Sequence, residues 1–369
     1  MSIRRVLFIV PDLKNPEYKG GIQVFNNYML QALDELGIST TVIGLNDRPQ
    51  DAVDGLITCN RGKRIRKILA ASHLMRRALF NRPDIVLCGH LHFAPLCRQI
   101  GFLTRLPFIT ITHGIELWNA NPNRLRAVAA SHRILAVSRY TRSRNLDLLK
   151  GYDPEHVQVF WNTFDEQRFQ PGPVNVDLRT RLGLKPEHRV VLTVGRMTTT
   201  DRLKGYDEGI RAMAQVCAEV PDVRYVLAGQ GNDTDRLRAL GNECGLGDRL
   251  IMPGFIPEED LVPLFNSSDL FILPSRKEGF GIVFLEVMGC GKPVIGGNRD
   301  GSMDPLCDGT LGTAIDPEDV DALANAIKDH LQGRVSRERS DADHLRREMV
   351  ERFGFRRFQD RLQEVLASA

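Results

Sequence analysis

The sequence has no Cys-x-x-Cys pair; its seven cysteines, at positions 59, 88, 97, 217, 244, 290 and 307, stand singly. That spacing argues against a zinc site and a disulfide framework, and it fits a reducing cytoplasm. No apolar run approaches the roughly 18–20 residues of a membrane span. The opening MSIRRVLFIV carries an apolar stretch of only about five residues, short of a signal-peptide core of roughly 7–15, and reads as a first buried strand. Excess charge of one sign is missing too. A net charge of +3 over 369 residues makes no case for nucleic acid. No Asp-x-Asp pair lies at the end of a predicted strand to hold a metal, and there is no low-complexity tract. The expectation is a soluble, cytoplasmic protein, at most peripheral to a membrane.

What is present is ordinary globular composition, 42% hydrophobic and 26% charged, in a chain long enough for two domains of roughly 170 residues. Short apolar runs alternate with helical patterns, which predicts parallel sheets covered by helices. The first half offers VLFIV (6–10), TTVIGL (40–45), DIVLCG (84–89), FITITH (108–113), RILAVS (133–138) and VQVFW (157–161). The second offers VVLTVG (190–195), VRYVLAG (223–229), RLIMPG (249–254), LFILPS (270–275) and KPVIGG (292–297). Between them QPGPVNVD (170–177), rich in Pro and Gly, reads as the linker. The expected division is 1–170 and 171–354, each an α/β, Rossmann-like doubly wound domain, with a closing helical stretch at 355–369.

The most informative segment is KEGFGIVFLEVMGCGKPVI (277–295). Glu278 and Glu286 bracket Gly279, Phe280, Gly281 and Ile282, after which the chain turns apolar as a helix entering a core would. Glycines let a loop bring its backbone against a ligand, and the following helix start presents unpaired N–H groups suited to phosphate. Carboxylates accept hydrogen bonds from hydroxyls. A ligand with a diphosphate in the middle and hydroxyls at both ends, a nucleotide sugar, suits this pattern. A loop-to-helix junction with a capping and a solvated Glu suits it as well.

Glu278-x7-Glu286 resembles the signature of the retaining, two-domain glycosyltransferases of family 4, also called glycosyl transferase group 1. Three more blocks follow that family's order. GRMTTTDRLKGYDEGIRAM (195–213) is similar to its Gly-Arg…Lys-Gly stretch, with Arg196 and Lys204 in the basic positions. VFWNTFDEQRF (159–169) resembles its interdomain turn around Asn162, with Trp161 and Thr163 departing from the usual Pro and Gly. KGGIQVFNNYMLQAL (19–33) resembles the N-terminal Gly-Gly loop and its helix. The resemblance implies the GT-B architecture, in which two Rossmann-like domains face a central cleft, the N-terminal one on the acceptor side and the C-terminal one binding the nucleotide sugar. It also implies that the helix in 355–369 crosses back onto the N-terminal domain.

The implied activity is retaining transfer of a hexose from a nucleotide-diphosphate sugar, of GDP-mannose or UDP-glucose type, to a glycan or lipid-linked acceptor. Arg196 and Lys204 would hold the diphosphate with the N–H groups of 279–282, in place of a metal; no cofactor is expected. Glu286 would meet the ribose, and Glu278 the transferred sugar. Gly20 and Gly21 would bring the first loop to the diphosphate. His113, closing FITITH, would touch the donor sugar from the acceptor side, although a lone His after a strand is also a common structural residue. A GT-B sugar-nucleotide epimerase and an inactive sugar-nucleotide-binding protein remain alternatives. Finally, RGKRIRKILAASHLMRRALF (61–80) carries seven Lys/Arg and no acid. Ile65, Ile68, Leu69, Met75 and Leu79 fall near one helical face, so it reads either as a helix lying on an anionic membrane or as one packing its apolar face on the sheet.

Overall fold

The computed structural model describes residues 3–15, 20–62, 65–118 and 120–368. Lys19 of the first-loop block and Lys63 and Arg64 of the basic segment lie outside the described residues. The chain divides into two compact units, Met1–Thr163 together with Phe355–Ala369, and Phe164–Gly354.

In the first unit the strands are β1 (Arg5–Val10), β2 (Ser39–Gly44), β3 (Leu56–Thr58), β4 (Ile85–Cys88), β5 (Phe108–Thr112), β6 (Arg133–Ala136) and β7 (Val157–Val159). They form a parallel sheet in the order β3-β2-β1-β4-β5-β6-β7. A strand buried on both faces needs a continuous apolar run rather than alternation. Val6 to Val10 satisfy this, none more than 2% exposed. The helix Gly21–Glu35 buries Phe25, Met29, Ala32 and Leu33, the spacing of one helical face. Phe355–Ala367 does the same with Phe358, Leu362, Val365 and Leu366. The Phe358 ring meets Phe25 edge-on at 5.7 Å and Phe160 at 4.8 Å, and Gln359 donates to Glu35 at 2.7 Å.

The second unit holds β8 (Arg189–Val194), β9 (Val223–Ala228), β10 (Leu250–Ile251), β11 (Leu270–Leu273), β12 (Val294–Gly297) and β13 (Thr313–Ile315). These are also parallel, in the order β10-β9-β8-β11-β12-β13. Each of the eleven apolar runs contains a strand. The sequence reading missed β3 and β13, three-residue edge strands too short to show a pattern.

The stretch 170–177 lies inside the second unit rather than between the two. Its backbone is tied down: Gly172 N donates to Asn266 Oδ1 at 3.0 Å, Asn175 N to Ser267 Oγ at 3.1 Å, and Asn266 Nδ2 to Gln170 O at 3.0 Å. Arg346 fastens the preceding turn through the carbonyls of Glu166 at 2.8 Å and Phe169 at 2.7 Å. Pro and Gly there mark irregular backbone, not a free tether.

Candidate active site

Arg196 stands just past β8, and Lys204 ends the one-turn helix Arg202–Lys204 that follows. Both therefore sit beyond the carboxyl end of a central strand, where open α/β sheets bind ligands. Tyr206, buried and in the next helix, donates its hydroxyl to Arg196 O at 2.8 Å and so fixes the backbone that carries the guanidinium. The guanidinium itself is 68% exposed, with Asp201 at 3.9 Å. An ion pair that long and exposed adds little, so the side chain can turn to an anion. Lys204 Nζ lies 3.6 Å from Glu278 Oε2, both side chains largely buried. A cation and a carboxylate thus adjoin, the one suited to phosphate and the other able to accept from hydroxyls.

Glu278 follows β11, and its loop turns through Gly281 into the helix Ile282–Gly289. Gly281 has φ +91°, a conformation that side-chain-bearing residues rarely adopt. Among the described residues no side chain caps this helix; Phe284 N turns back to Gly281 O at 3.1 Å, and a helix start of this kind suits an anion at the N–H groups before it. Phe280 is 2% exposed, its ring against Phe353 at 5.9 Å. It offers a ligand only its backbone, while its side chain anchors the loop. Glu286, half-buried, falls on the helix's second turn.

Sequence reasoning missed what holds Glu278. Asp300, buried beyond β12, accepts from Glu278 N at 2.6 Å, Ser275 Oγ at 2.6 Å and Ser302 N at 2.9 Å. Gly301 N donates to Glu278 O at 2.9 Å. A Cβ on Gly301 would lie 2.1 Å from Gly279 O, so only glycine allows the two loops to meet this closely. Burial raises the Asp300 carboxyl to about 6, with its hydrogen bonds from Ser275, Glu278 and Ser302 opposing the rise. The signal was the Asp-Gly pair just past a predicted strand, but strand position alone does not say which side chain turns inward.

The remaining residues belong to the first unit. Gly20 is fully extended, φ −178°, and precedes the helix that Gly21 begins, so its φ does not require glycine. His113 follows β5. Its Nε2 lies 3.0 Å from Gly89 O, its backbone N donates to Glu116 Oε1, and Phe25 meets its ring edge-on at 5.1 Å. Burial holds this imidazole below its ordinary range, the Glu116 carboxylate opposing. His113 is therefore a neutral ring, donating through Nε2 to Gly89 O and keeping Nδ1 as an acceptor. Among the described residues no group of three or more His, Cys, Asp or Glu lies together as a metal site would.

Two family descriptions match the chain in succession: Glycosyltransferase Family 4 over residues 19–168 and Glycosyl transferases group 1 over residues 176–346. The chain is 32% identical over 254 residues to the GDP-mannose-dependent alpha-(1-6)-phosphatidylinositol monomannoside mannosyltransferase of Mycolicibacterium smegmatis, covering 64% of this chain and 63% of that one. It is 33% identical over 297 residues to the D-inositol 3-phosphate glycosyltransferase of Mycobacterium sp. strain KMS, covering 73% and 65%. It thus spans less than two thirds of the length of either relative. Among solved structures, Anabaena HepE in complex with UDP and glucose superposes with a TM-score of 0.81 at 22% identity, over 99% of this chain and all of that one. WaaG, a glycosyltransferase of lipopolysaccharide biosynthesis, gives 0.73 at 16%, over 99% and 100%. The chain belongs to the family 4 glycosyltransferases and has their GT-B fold.

Proposed function

We propose that this protein is a retaining hexosyltransferase that takes its sugar from a nucleotide diphosphate, of GDP-mannose or UDP-glucose type, and gives it to a glycan or lipid-linked glycan. The observation that carries this reading is the Lys204–Glu278 pair at 3.6 Å beside an uncapped helix start. As the anomeric C–O bond breaks, negative charge grows on the departing phosphate. Arg196, Lys204 and the N–H groups of residues 279–282 stabilise it where it forms, without a metal. Glu278 orients the sugar through its hydroxyls, and Glu286 holds the ribose. The acceptor oxygen forms the new bond on the face the phosphate leaves, and its proton passes to a phosphate oxygen. No nucleophile is needed for retention on this route. Gly20, Gly21 and His113 are assigned to the donor on the family resemblance.

The names of the relatives support the two donor types: one is described as GDP-mannose-dependent, and HepE holds UDP and glucose. An epimerase or an inactive binding protein has less support, because the relatives are described as glycosyltransferases and the chain keeps Arg196, Lys204, Glu278 and Glu286. We place the enzyme in the cytoplasm, at the inner face of a membrane; the exposed apolar and basic residues of the helix Ile65–Phe80 support that placement.

A panel of nucleotide sugars tests the proposal. One donor should yield free nucleoside diphosphate with acceptor-dependent turnover that persists in EDTA. Glu278→Gln should lower turnover about 10²–10³-fold, the usual loss for a group acting on the transition state, with little change in nucleotide affinity. Recovery of an epimerised sugar, binding without turnover, or full activity in Glu278→Gln would overturn it. Abolition by EDTA with rescue by Mn²⁺ would overturn the metal-free leaving-group argument.

A further inference from the structure

The first unit contains a cavity of 540 Å³ that none of the family blocks points to. Asn46, Arg66, Lys67, His92 and Arg124 line it, with an apolar wall that includes Leu96. Asn46 follows β2 and His92 follows β4, on either side of β1. The strand order reverses its direction at this point, the switch point where doubly wound sheets place their ligands.

The polar lining has one sign. Arg66, Lys67 and Arg124 are cationic, and among the described residues no Asp or Glu lines the cavity. Arg66 Nη1 donates to Asn46 Oδ1 at 2.7 Å, which orients the guanidinium. Its Nε is buried and has no acceptor among the described residues, a state buried donors seldom keep. The His90 and His92 rings stack at 4.4 Å, and His92 N donates to His90 Nδ1 at 3.1 Å. Burial holds both imidazoles below their ordinary range, and the cations nearby act in the same direction. They are therefore neutral rings beside three fixed positive charges. His90 also stacks toward His113 at 6.3 Å, which links the cavity to the candidate active-site histidine.

Three cations, a buried N–H without an acceptor and no competing carboxylate call for a compact anion with several acceptor oxygens. Guanidinium groups match phosphate through paired N–H donors. We infer that this cavity binds a phosphate or diphosphate group on the acceptor, held by Arg66, Lys67 and Arg124, with the apolar wall beside the group that carries it. A pocket of several hundred Å³ accommodates a ring together with its phosphate. Only the word acceptor rests on the proposed transferase activity; phosphate binding does not. The phosphate belongs either to a soluble sugar or cyclitol phosphate or to a lipid-linked diphosphate, since both present the same oxygens.

The test is calorimetric titration with inorganic phosphate while saturating UDP or GDP occupies the second unit. The full chain should bind one phosphate beyond the nucleotide, more weakly as salt is raised. Arg124→Gln and Lys67→Gln should each weaken that binding at least about tenfold, the loss expected when a charge-assisted contact is removed, with nucleotide affinity unchanged. A thermal transition of the first unit unchanged from wild type shows that the variants, which lie in that unit, are folded. No phosphate binding by the wild type, or equal binding by both variants, would overturn the inference. If no nucleotide binds, the donor reading fails separately, and the same titration is run on Arg196→Ala without nucleotide. Displacement of phosphate by a hexose 1-phosphate identifies a soluble source. Displacement only by a polyprenyl diphosphate sugar in micelles identifies a lipid one.

Discussion

Asp300 shows how one side chain off the main motif sets the geometry of a residue on it. Its two oxygens accept three hydrogen bonds, one from the backbone N of Glu278. Protonation turns one oxygen into a donor and loosens that hold. The folded carboxyl sits near 6, above its ordinary value of 3.8. Its contribution to stability is therefore fully present below about 3.8 and is lost as pH rises through 6. Activity runs the opposite way, because only the carboxylate accepts all three bonds. We expect kcat to fall as pH drops through about 6. Asp300→Asn should lose that limb and be about 10–100-fold slower at neutral pH, as expected when a supporting hydrogen bond to an active residue is lost. Profiles of kcat against pH for both proteins check this. An unchanged acidic limb in the variant would assign it elsewhere, for example to Asp12, which burial also raises to about 6.

At the scale of the element, the helix Ile65–Phe80 divides its apolar residues between two environments. Ala70, Leu74 and Ala78 are buried, and Leu69 and Met75 pack partly against the same core. Ile65, Ile68, Leu79 and Phe80 are exposed, Phe80 by 79%. The packing reading thus holds for one face, while another presents apolar and basic residues outward. Such a surface gains from a lipid interface, and each basic residue near an anionic surface adds about 1 kcal/mol. The protein should sediment with anionic liposomes but not neutral ones, less so in high salt and after Arg76→Glu with Arg77→Glu. Equal recovery in the supernatant under every condition would exclude docking. Among the described residues no helix is long and apolar enough to cross a membrane.

At the scale of the whole molecule, the chain leaves the first unit after Thr163 and returns to it at Phe355. The returning helix is part of the first unit's core, with Phe358 fully buried between Phe25 and Phe160. Phe358→Ala should cost about 3–5 kcal/mol, as large-to-small core substitutions do. The loss should appear in the first unit's thermal transition, while nucleotide binding, assigned to the second unit, keeps its affinity. A melting profile unchanged from wild type would contradict this packing.

Periodicity and local backbone chemistry were enough to read the long strands, their parallel arrangement and the loop-to-helix turn between Glu278 and Glu286. A run such as VLFIV is buried on both faces whatever surrounds it, and Gly281 at a loop-to-helix turn has a local reason. The same local rules failed where the deciding partner lies far along the chain. QPGPVNVD looked like a tether because its bonds go to Asn266 and Ser267, some ninety residues away. Asp300 and the cavity around Arg66, His92 and Arg124 were equally hidden. The sequence by itself determined which segments become strands and which residue types stand at their ends. Tertiary structure decided which of those ends meet, because the direction of a side chain at a strand terminus is set by the neighbouring loops that pack against it.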